Sequence, residues 1–126
     1  MPPAEVRVFR DERGDVPLLN WLAALERSRP KAFAKCLARI LELADQGSAM
    51  RRPHADYLRD GIYELRASLA GTHYRILYFF FGKDIVALSH GIVKEAGIPS
   101  KEIELAIHRM MLVKKSPNRH TATFEV

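Results

Sequence analysis

An alternating pattern over residues 72–81 constrains the fold of this chain more than any other feature of its sequence. Large apolar and aromatic residues occupy every second position from Tyr74 to Phe80. A period of two with aromatic and β-branched residues is typical of a β-strand. Similar runs over residues 62–66 and 85–93 lie on either side, separated by short turns. Together the three runs predict an antiparallel meander.

Helical spacing of apolar residues dominates the segments before and after this meander. Two helices are predicted over residues 17–29 and 30–46, joined by a link so short that they form a hairpin. A last helix is predicted to begin at Pro99 and Ser100. With a strand over residues 5–10, the order predicts an α+β fold: N-terminal strand, helical hairpin, three-stranded antiparallel meander and C-terminal helix. Residues 47–60 are predicted to be irregular.

Length and composition indicate one globular domain in a reducing compartment. A chain of 126 residues is expected to form a single domain, here residues 1–115, with a tail over 116–126 that is either disordered or an edge strand. No apolar run is long enough for a bilayer span, and the first residues lack a secretory signal. Cys36 is the single cysteine and is expected to be a small buried hydrophobic residue. We therefore expect a cytoplasmic protein without a membrane partner.

The positive charge of the chain is concentrated in its second half. Of the formal net charge of +5, residues 1–50 carry +1 and residues 51–126 carry +4. Such an excess favours binding to nucleic acid or to an acidic protein. A basic surface that serves only solubility is the alternative.

Polar side chains occur in the middle of strands where a hydrophobic core is expected. Glu64 and Arg66 are two residues apart and therefore share a face, and Arg75 is flanked by large apolar residues on the central strand. Strict alternation along the third strand places His90 and Lys94 on one face, together with Val86 and Leu88. A meander can bring Glu64, Arg66, Arg75 and His90 together, with Lys94 near the rim.

This constellation has three interpretations. The first is structural, with Glu64 paired to an arginine and His90 hydrogen-bonded in the core. The second is a phosphate-binding pocket, because guanidinium groups match phosphate oxygens. The third is a catalytic site for phosphodiester cleavage, in which Glu64 or His90 transfers protons and the cations Arg66, Arg75 and Lys94 stabilise the charge on phosphorus.

Further basic residues lie in the predicted loops, in the turns and at the strand ends. They are either solvated or contacts for RNA: Arg51, Arg52, Arg59, His73 and Lys83. The five histidines show no paired ligand spacing, and no glycine-rich phosphate loop is present. We therefore expect neither a metal nor a small-molecule cofactor.

Three segments together resemble a known family. They are Tyr63-Glu64-Leu65-Arg66, Tyr74-Arg75-Ile76-Leu77-Tyr78-Phe79 and His90-Gly91-Ile92-Val93-Lys94. In this combination the chain resembles the phage-derived, HigB-like branch of the RelE/ParE toxin superfamily, over residues 5–113. The resemblance implies a fold similar to microbial ribonucleases of the barnase type.

The resemblance also implies an activity and partners. Members are toxins of type II toxin–antitoxin pairs that enter the ribosomal A site and cleave messenger RNA. The ribose 2′-hydroxyl attacks the adjacent phosphate without a metal, and an antitoxin, usually encoded beside the toxin, neutralises it. By this resemblance Arg75 stabilises the transition state, Arg66 and Lys94 match further basic motif positions, and His90 and Glu64 are candidates for proton transfer.

The segment after Lys94 departs from the family pattern. Members usually continue with further basic residues, whereas residues 95–99 here are Glu-Ala-Gly-Ile-Pro, and the final helix contains no tyrosine. Two alternatives therefore stay open beside the nuclease. One is a ParE-type toxin that inhibits DNA gyrase, and the other is a catalytically inactive domain that binds RNA or protein.

Overall fold

The structure is a computed structural model that describes residues 3–93 and 96–125. The strands within these residues form one six-stranded sheet. The elements are β1 (Glu5–Phe9), α1 (Pro17–Ser28), α2 (Pro30–Gln46), β2 (Ala55–Arg59), β3 (Ile62–Leu69), β4 (Thr72–Phe80), β5 (Ile85–Val93), α3 (Ser100–Lys115), the short α4 (Pro117–His120) and β6 (Thr121–Thr123). The α+β arrangement expected from the sequence is confirmed.

The strands lie in the order β2-β3-β4-β5-β1-β6. Consecutive strands from β2 to β5 are antiparallel, because short turns join them. The N-terminal strand β1 instead lies parallel to β5 and pairs Glu5 with Ile85. Its other edge pairs antiparallel with β6, which places the chain after Ser116 against the first strand.

Each face of the sheet is covered by helices. The α1–α2 hairpin buries Leu18, Leu22 and Ile40 against one face. The helix α3 buries Ile103, Ala106 and Val113 against the other face, where they meet the apolar residues Leu77 and Phe79 of β4. Burial of this apolar surface on both sides is the main stabilising contribution to such a layered fold.

Residues 47–60 are more ordered than their sequence indicates. They contain β2, so the meander has four strands instead of the predicted three. The strand is short and carries Asp56 and Arg59, so its own sequence has little β character. Its pairing with β3, in which Ala55 lies opposite Leu65, provides the order.

Cys36 lies inside α2 and is 1% exposed. Burial raises the pKa of its thiol to about 12, so at pH 8 only about one molecule in ten thousand carries the reactive thiolate. We expect Cys36 of the native protein to react with an aromatic disulfide reagent much more slowly than Cys36 of the protein unfolded in guanidinium chloride. The coloured thiolate that the reagent releases gives the rate. Equal rates in the two states would contradict the buried position.

Candidate functional site

The strands β3 and β4 place three charged side chains on the face that α3 covers further along. Arg66 lies directly opposite Arg75 in the register of the two strands, and Glu64 lies opposite Leu77. Two like charges opposite each other in a sheet are destabilising unless a counter-charge lies between them. Glu64 supplies that counter-charge.

Both arginines donate hydrogen bonds to the same carboxylate. Arg75 Nη1 lies 2.6 Å from Glu64 Oε1, and Arg66 Nη2 lies 3.0 Å from Glu64 Oε2. The exposed fractions of the side chains are 2% for Glu64, 14% for Arg75 and 35% for Arg66. The carboxylate is therefore the buried centre of the cluster, and Arg66 is its solvent-facing member.

A second carboxylate extends this cluster to the edge strand. Asp56 Oδ2 accepts from Arg66 Nη2 at 3.2 Å and from Arg52 Nη2 at 3.0 Å. The hydrogen bond from Arg52 holds the pKa of the Asp56 carboxyl below its ordinary value. Asp56 is thus an ion-pair partner of both Arg52 and Arg66.

A hollow of about 470 Å³ lies at the end of the sheet where the β3–β4 turn is. Its lining combines α2, residues on the sheet face under α2, such as Tyr74, and residues on the face that α3 covers, such as Arg66 and Arg75. This hollow is here called the cationic hollow. It is lined by Lys35, Arg39, Pro53, His54, Arg66, Ala67, Ser68, His73, Tyr74 and Arg75. Among its lining residues in the described part of the chain there is no carboxylate. Four permanent cations line it, and three of them are paired with two carboxylates outside the lining, Arg39 with Glu42 and both Arg66 and Arg75 with Glu64. The remaining excess of positive charge favours an anionic ligand.

Three polar atoms in the residues of this wall are buried without a hydrogen-bond partner in residues 3–93 and 96–125. They are Nε of Arg66, Nε of Arg75 and the hydroxyl of Tyr74. A buried donor without a partner costs about 1–3 kcal/mol. Such atoms are uncommon in folded proteins, and here all three belong to residues that line one hollow.

Two imidazole groups line the cationic hollow, and each is held at Nδ1. His54 Nδ1 lies 3.0 Å from both carboxylate oxygens of Glu42, and His73 Nδ1 lies 2.8 Å from Ser68 Oγ. Neither Nε2 atom has a hydrogen-bond partner among the residues that the structure describes. Two imidazoles with one tethered nitrogen each are suited to proton transfer.

His90 lies apart from the cationic hollow. A bulge between the β4 and β5 registers interrupts the alternation, so that Leu88 pairs with Tyr78 whereas His90 pairs with Leu77. The prediction that His90 shares a face with Val86 and Leu88 is therefore wrong. His90 does lie on the same face as Glu64. However, Leu77 of β4 lies between the two residues, so their backbones are two strand spacings, about 10 Å, apart.

The partners of His90 come from its own strand and from α3. Its Nε2 lies 3.2 Å from Glu102 Oε1, and its Nδ1 lies 2.7 Å from Ser89 Oγ. Burial, together with the charge of Arg109, lowers the pKa of His90 despite the opposing effect of Glu102. His90 thus joins α3 to the sheet and does not line the hollow.

The other predicted site residues fall in several places. Arg51 and Arg52 precede β2, and His73 is in the hollow itself. Arg59 pairs with Asp60 and Ser100 at the opposite end of the sheet, where the exposed Lys83 also lies in the β4–β5 turn. Lys94 lies outside the described residues.

Three basic residues of the cationic hollow, Lys35, Arg39 and His54, were not among the predicted site residues. Lys35 and Arg39 are four residues apart on α2 and therefore share a helical face. Arg39 Nε also donates to the backbone oxygen of Arg66 at 3.1 Å, which anchors α2 over β3. The helical spacing of the two cations was a detectable signal, whereas the position of His54 depends on the chain path before β2.

Two further kinds of site, a metal cluster and a membrane-spanning helix, are absent from residues 3–93 and 96–125. No group of three or more histidine, cysteine or acidic side chains there is arranged to hold a metal ion. In the same part of the chain, no helix combines the length and the apolar character needed to cross a membrane.

The fold and the hollow define a small α+β domain with a concavity lined by basic side chains at one end of its sheet. By its sequence the chain belongs to the family described as phage derived protein Gp49-like (DUF891), whose model matches residues 20–111. This family is a phage-derived, toxin-like group of the RelE/HigB type. The search of curated proteins finds no match to the chain. The residues matched to the family include every residue that lines the cationic hollow.

Proposed function

We propose that the protein is the toxin of a type II toxin–antitoxin pair, in the HigB-like branch of the RelE/ParE superfamily. Its activity is metal-independent, ribosome-dependent cleavage of messenger RNA in the cytoplasm. The observation that carries this proposal is the cationic hollow, in which Arg66 and Arg75 lie directly opposite each other and no carboxylate lines the described walls. Membership of a toxin-like family supports it.

The two arginines bind the phosphate of the scissile bond. A guanidinium group has five N–H donors, and the contacts with Glu64 and Asp56 leave most of them for a ligand. Negative charge develops on the phosphoryl oxygens as the 2′-oxygen attacks. Fixed cations in a partly desolvated site stabilise that charge without reorganisation.

The imidazoles of His54 and His73 carry the protons. One Nε2 accepts the proton of the ribose 2′-hydroxyl as the new bond from the 2′-oxygen to phosphorus forms. The other donates a proton to the 5′-oxygen as its bond to phosphorus breaks, which gives a 2′,3′-cyclic phosphate and a 5′-hydroxyl end. No water and no redox partner is consumed in this step.

Glu64 acts in this proposal as a positioning residue. Each of its oxygens accepts from an arginine, and its side chain is 2% exposed. A substrate hydroxyl reaches this carboxylate only if an arginine is displaced. Its role is to hold both guanidinium groups side by side, so Glu64→Gln is expected to keep the pH profile of the parent.

The partners follow from this function. Messenger RNA within the ribosome is the substrate, and a cognate antitoxin neutralises the toxin. An acidic segment of the antitoxin that covers the cationic hollow complements its charge.

The test is inducible expression in a bacterium with mapping of messenger RNA 5′ ends. We expect growth arrest and new 5′-hydroxyl ends with the parent protein. Arg66→Gln and Arg75→Gln lower cleavage by about 100-fold or more, because each removes a cation from the transition state. The matched control is Arg27→Gln, which removes an exposed charge at the end of α1, and it cleaves as the parent does.

Thermal melting of the purified variants separates loss of activity from loss of folding. Cleavage at the parent rate by folded Arg66→Gln and Arg75→Gln would overturn the proposal. Arrest with intact messenger RNA and blocked replication would favour the ParE-type function. Growth without any arrest by the parent would indicate an inactive member.

A further inference from the structure

A second hollow of about 470 Å³ lies beside the edge strand β2. Its walls, here called the tyrosine hollow, are formed by Ser48, Met50, Arg51, Arg52, Ala55, Asp56, Tyr57 and Tyr63. It combines two aromatic rings with two arginines, whereas the cationic hollow contains one tyrosine that is almost completely buried. The two hollows therefore differ in the chemistry that they offer.

Tyr57 is an exposed aromatic ring in a fixed orientation. Tyr57 is 52% exposed, whereas Tyr74 is 2% and Tyr78 is 1% exposed. Its hydroxyl oxygen accepts a hydrogen bond of 3.0 Å from the backbone N–H of Gly61. A ring anchored at its tip loses little conformational entropy when a flat ligand stacks on it.

Other aromatic rings support Tyr57 from behind. Its ring centroid lies 5.0 Å from that of Tyr63 at an interplanar angle of 66°. The Tyr63 ring in turn stacks on Tyr78 at 5.3 Å. The exposed ring is thus the outermost member of an aromatic row that continues into the core beneath the helical hairpin.

Two arginines line the same hollow as the exposed ring. Arg52 is 75% exposed and is oriented by its ion pair with Asp56. Arg51 Nη1 donates to the backbone oxygens of Ser48 and Met50, which fixes that side chain on the hollow wall. Planar guanidinium groups stack on flat rings and attract phosphates, so aromatic rings interleaved with arginines are typical of surfaces that bind single-stranded nucleic acid.

The two hollows are lined by residues that are adjacent in the chain. Arg51 and Arg52 line the tyrosine hollow, and the next residues along the chain, Pro53 and His54, line the cationic hollow. Asp56 also connects the two, because it accepts from Arg52 on one side and from Arg66 on the other. A ligand that extends from one hollow into the other therefore passes over residues 51–54.

We propose that the tyrosine hollow is a nucleobase-binding subsite. It receives one unpaired base of the RNA strand whose phosphate lies in the cationic hollow, with the base stacked on Tyr57 beside Arg52. This inference rests on the proposed function and adds to it a stacking contact outside the phosphate site. The contact is tolerant of base identity, because every base has a flat face.

The test measures binding of a fluorescein-labelled hexaribonucleotide that is 2′-O-methylated throughout, so that it cannot be cleaved. A matched set of probes carries one abasic position, moved along the strand. We expect Tyr57→Ala to weaken binding of the intact probe about 10-fold by anisotropy. For one abasic position the variant and the parent bind equally, because the stacked base is already missing.

Three variants make the result specific. Tyr57→Phe keeps the ring and loses only the hydrogen bond to Gly61, so it retains most of the affinity. Met111→Ala removes a different exposed apolar side chain, 64% exposed on α3, and leaves binding unchanged. Arg75→Gln weakens intact and abasic probes alike, because it acts on the phosphate.

The outcomes separate this inference from the proposed function. Unchanged binding in Tyr57→Ala together with weaker binding in Arg75→Gln overturns the nucleobase subsite and leaves the proposed function standing. Failure of the parent protein to bind any intact probe also overturns the nucleobase subsite, whereas the proposed ribosome-dependent cleavage is judged separately by the messenger RNA ends. Loss of antitoxin binding in Tyr57→Ala with unchanged RNA binding overturns the subsite in favour of a protein contact.

Discussion

Replacing Glu64 with alanine is expected to lower the free energy of unfolding by about 3 kcal/mol. The carboxylate is the only acidic group within hydrogen-bond distance of Arg75 among the described residues, and it also contacts Arg66. Removing one member of a buried ion pair leaves an uncompensated charge, which is among the most costly single changes in a protein. Urea denaturation at pH 7 measures the effect.

The matched control for this substitution is Glu42→Ala. Glu42 also contacts an arginine and a histidine, but its side chain is 26% exposed. Water screens such a pair, so its loss is expected to cost less than about 1 kcal/mol. Equal effects of the two substitutions would show that Glu64 does not hold buried charge.

Gly91→Ala is expected to lower the free energy of unfolding by about 3 kcal/mol as well, through packing instead of charge. A Cβ atom at this position of β5 would lie 2.3 Å from Cε3 and 2.4 Å from Cδ2 of Trp21. The indole of α1 rests directly on the glycine, so a methyl group forces the helix away from the strand. Over-packing of this kind typically costs 1–3 kcal/mol, and we place this site at the upper end because the indole ring is rigid.

Urea denaturation followed by far-ultraviolet circular dichroism measures this effect, since this signal does not depend on Trp21, the single tryptophan of the chain. Gly97→Ala is the control, because nothing lies within 4 Å of a Cβ atom there. In a Trp21→Ala background the cost of Gly91→Ala is expected to fall sharply, since the clash is then absent. An unchanged cost in that background would rule out the contact as the cause.

The sequence was sufficient for the architecture because its strands and helices have strong and different periods. The alternation along β4 and the short turns on either side predicted an antiparallel arrangement. The alternation along β3 likewise placed Glu64 and Arg66 on one face. That Arg66 lies opposite Arg75 follows from the register of a hairpin with a two-residue turn.

The parts that could not be predicted depend on contacts between distant segments. The spacing of Lys35 and Arg39 places both on one face of α2, but that this face meets the cationic hollow depends on the packing of α2 against β3, which the sequence does not show. A single bulge residue in β5 reversed the alternation before His90, and Glu102 of α3 then captured its ring. The β2 strand was missed because its order comes from its neighbour β3.

The place of β1 between β5 and β6 has a consequence for how the protein is made. Glu5 pairs with Ile85, which is synthesised about 80 residues later, and Arg7 pairs with Thr123, which is synthesised later still. At a translation rate of about 5–20 residues per second, the first strand stays without its parallel neighbour for about 4–16 s. During that interval a segment with exposed backbone donors and acceptors is available to any molecule that pairs with strands, so the timing of synthesis decides when the finished sheet first exists.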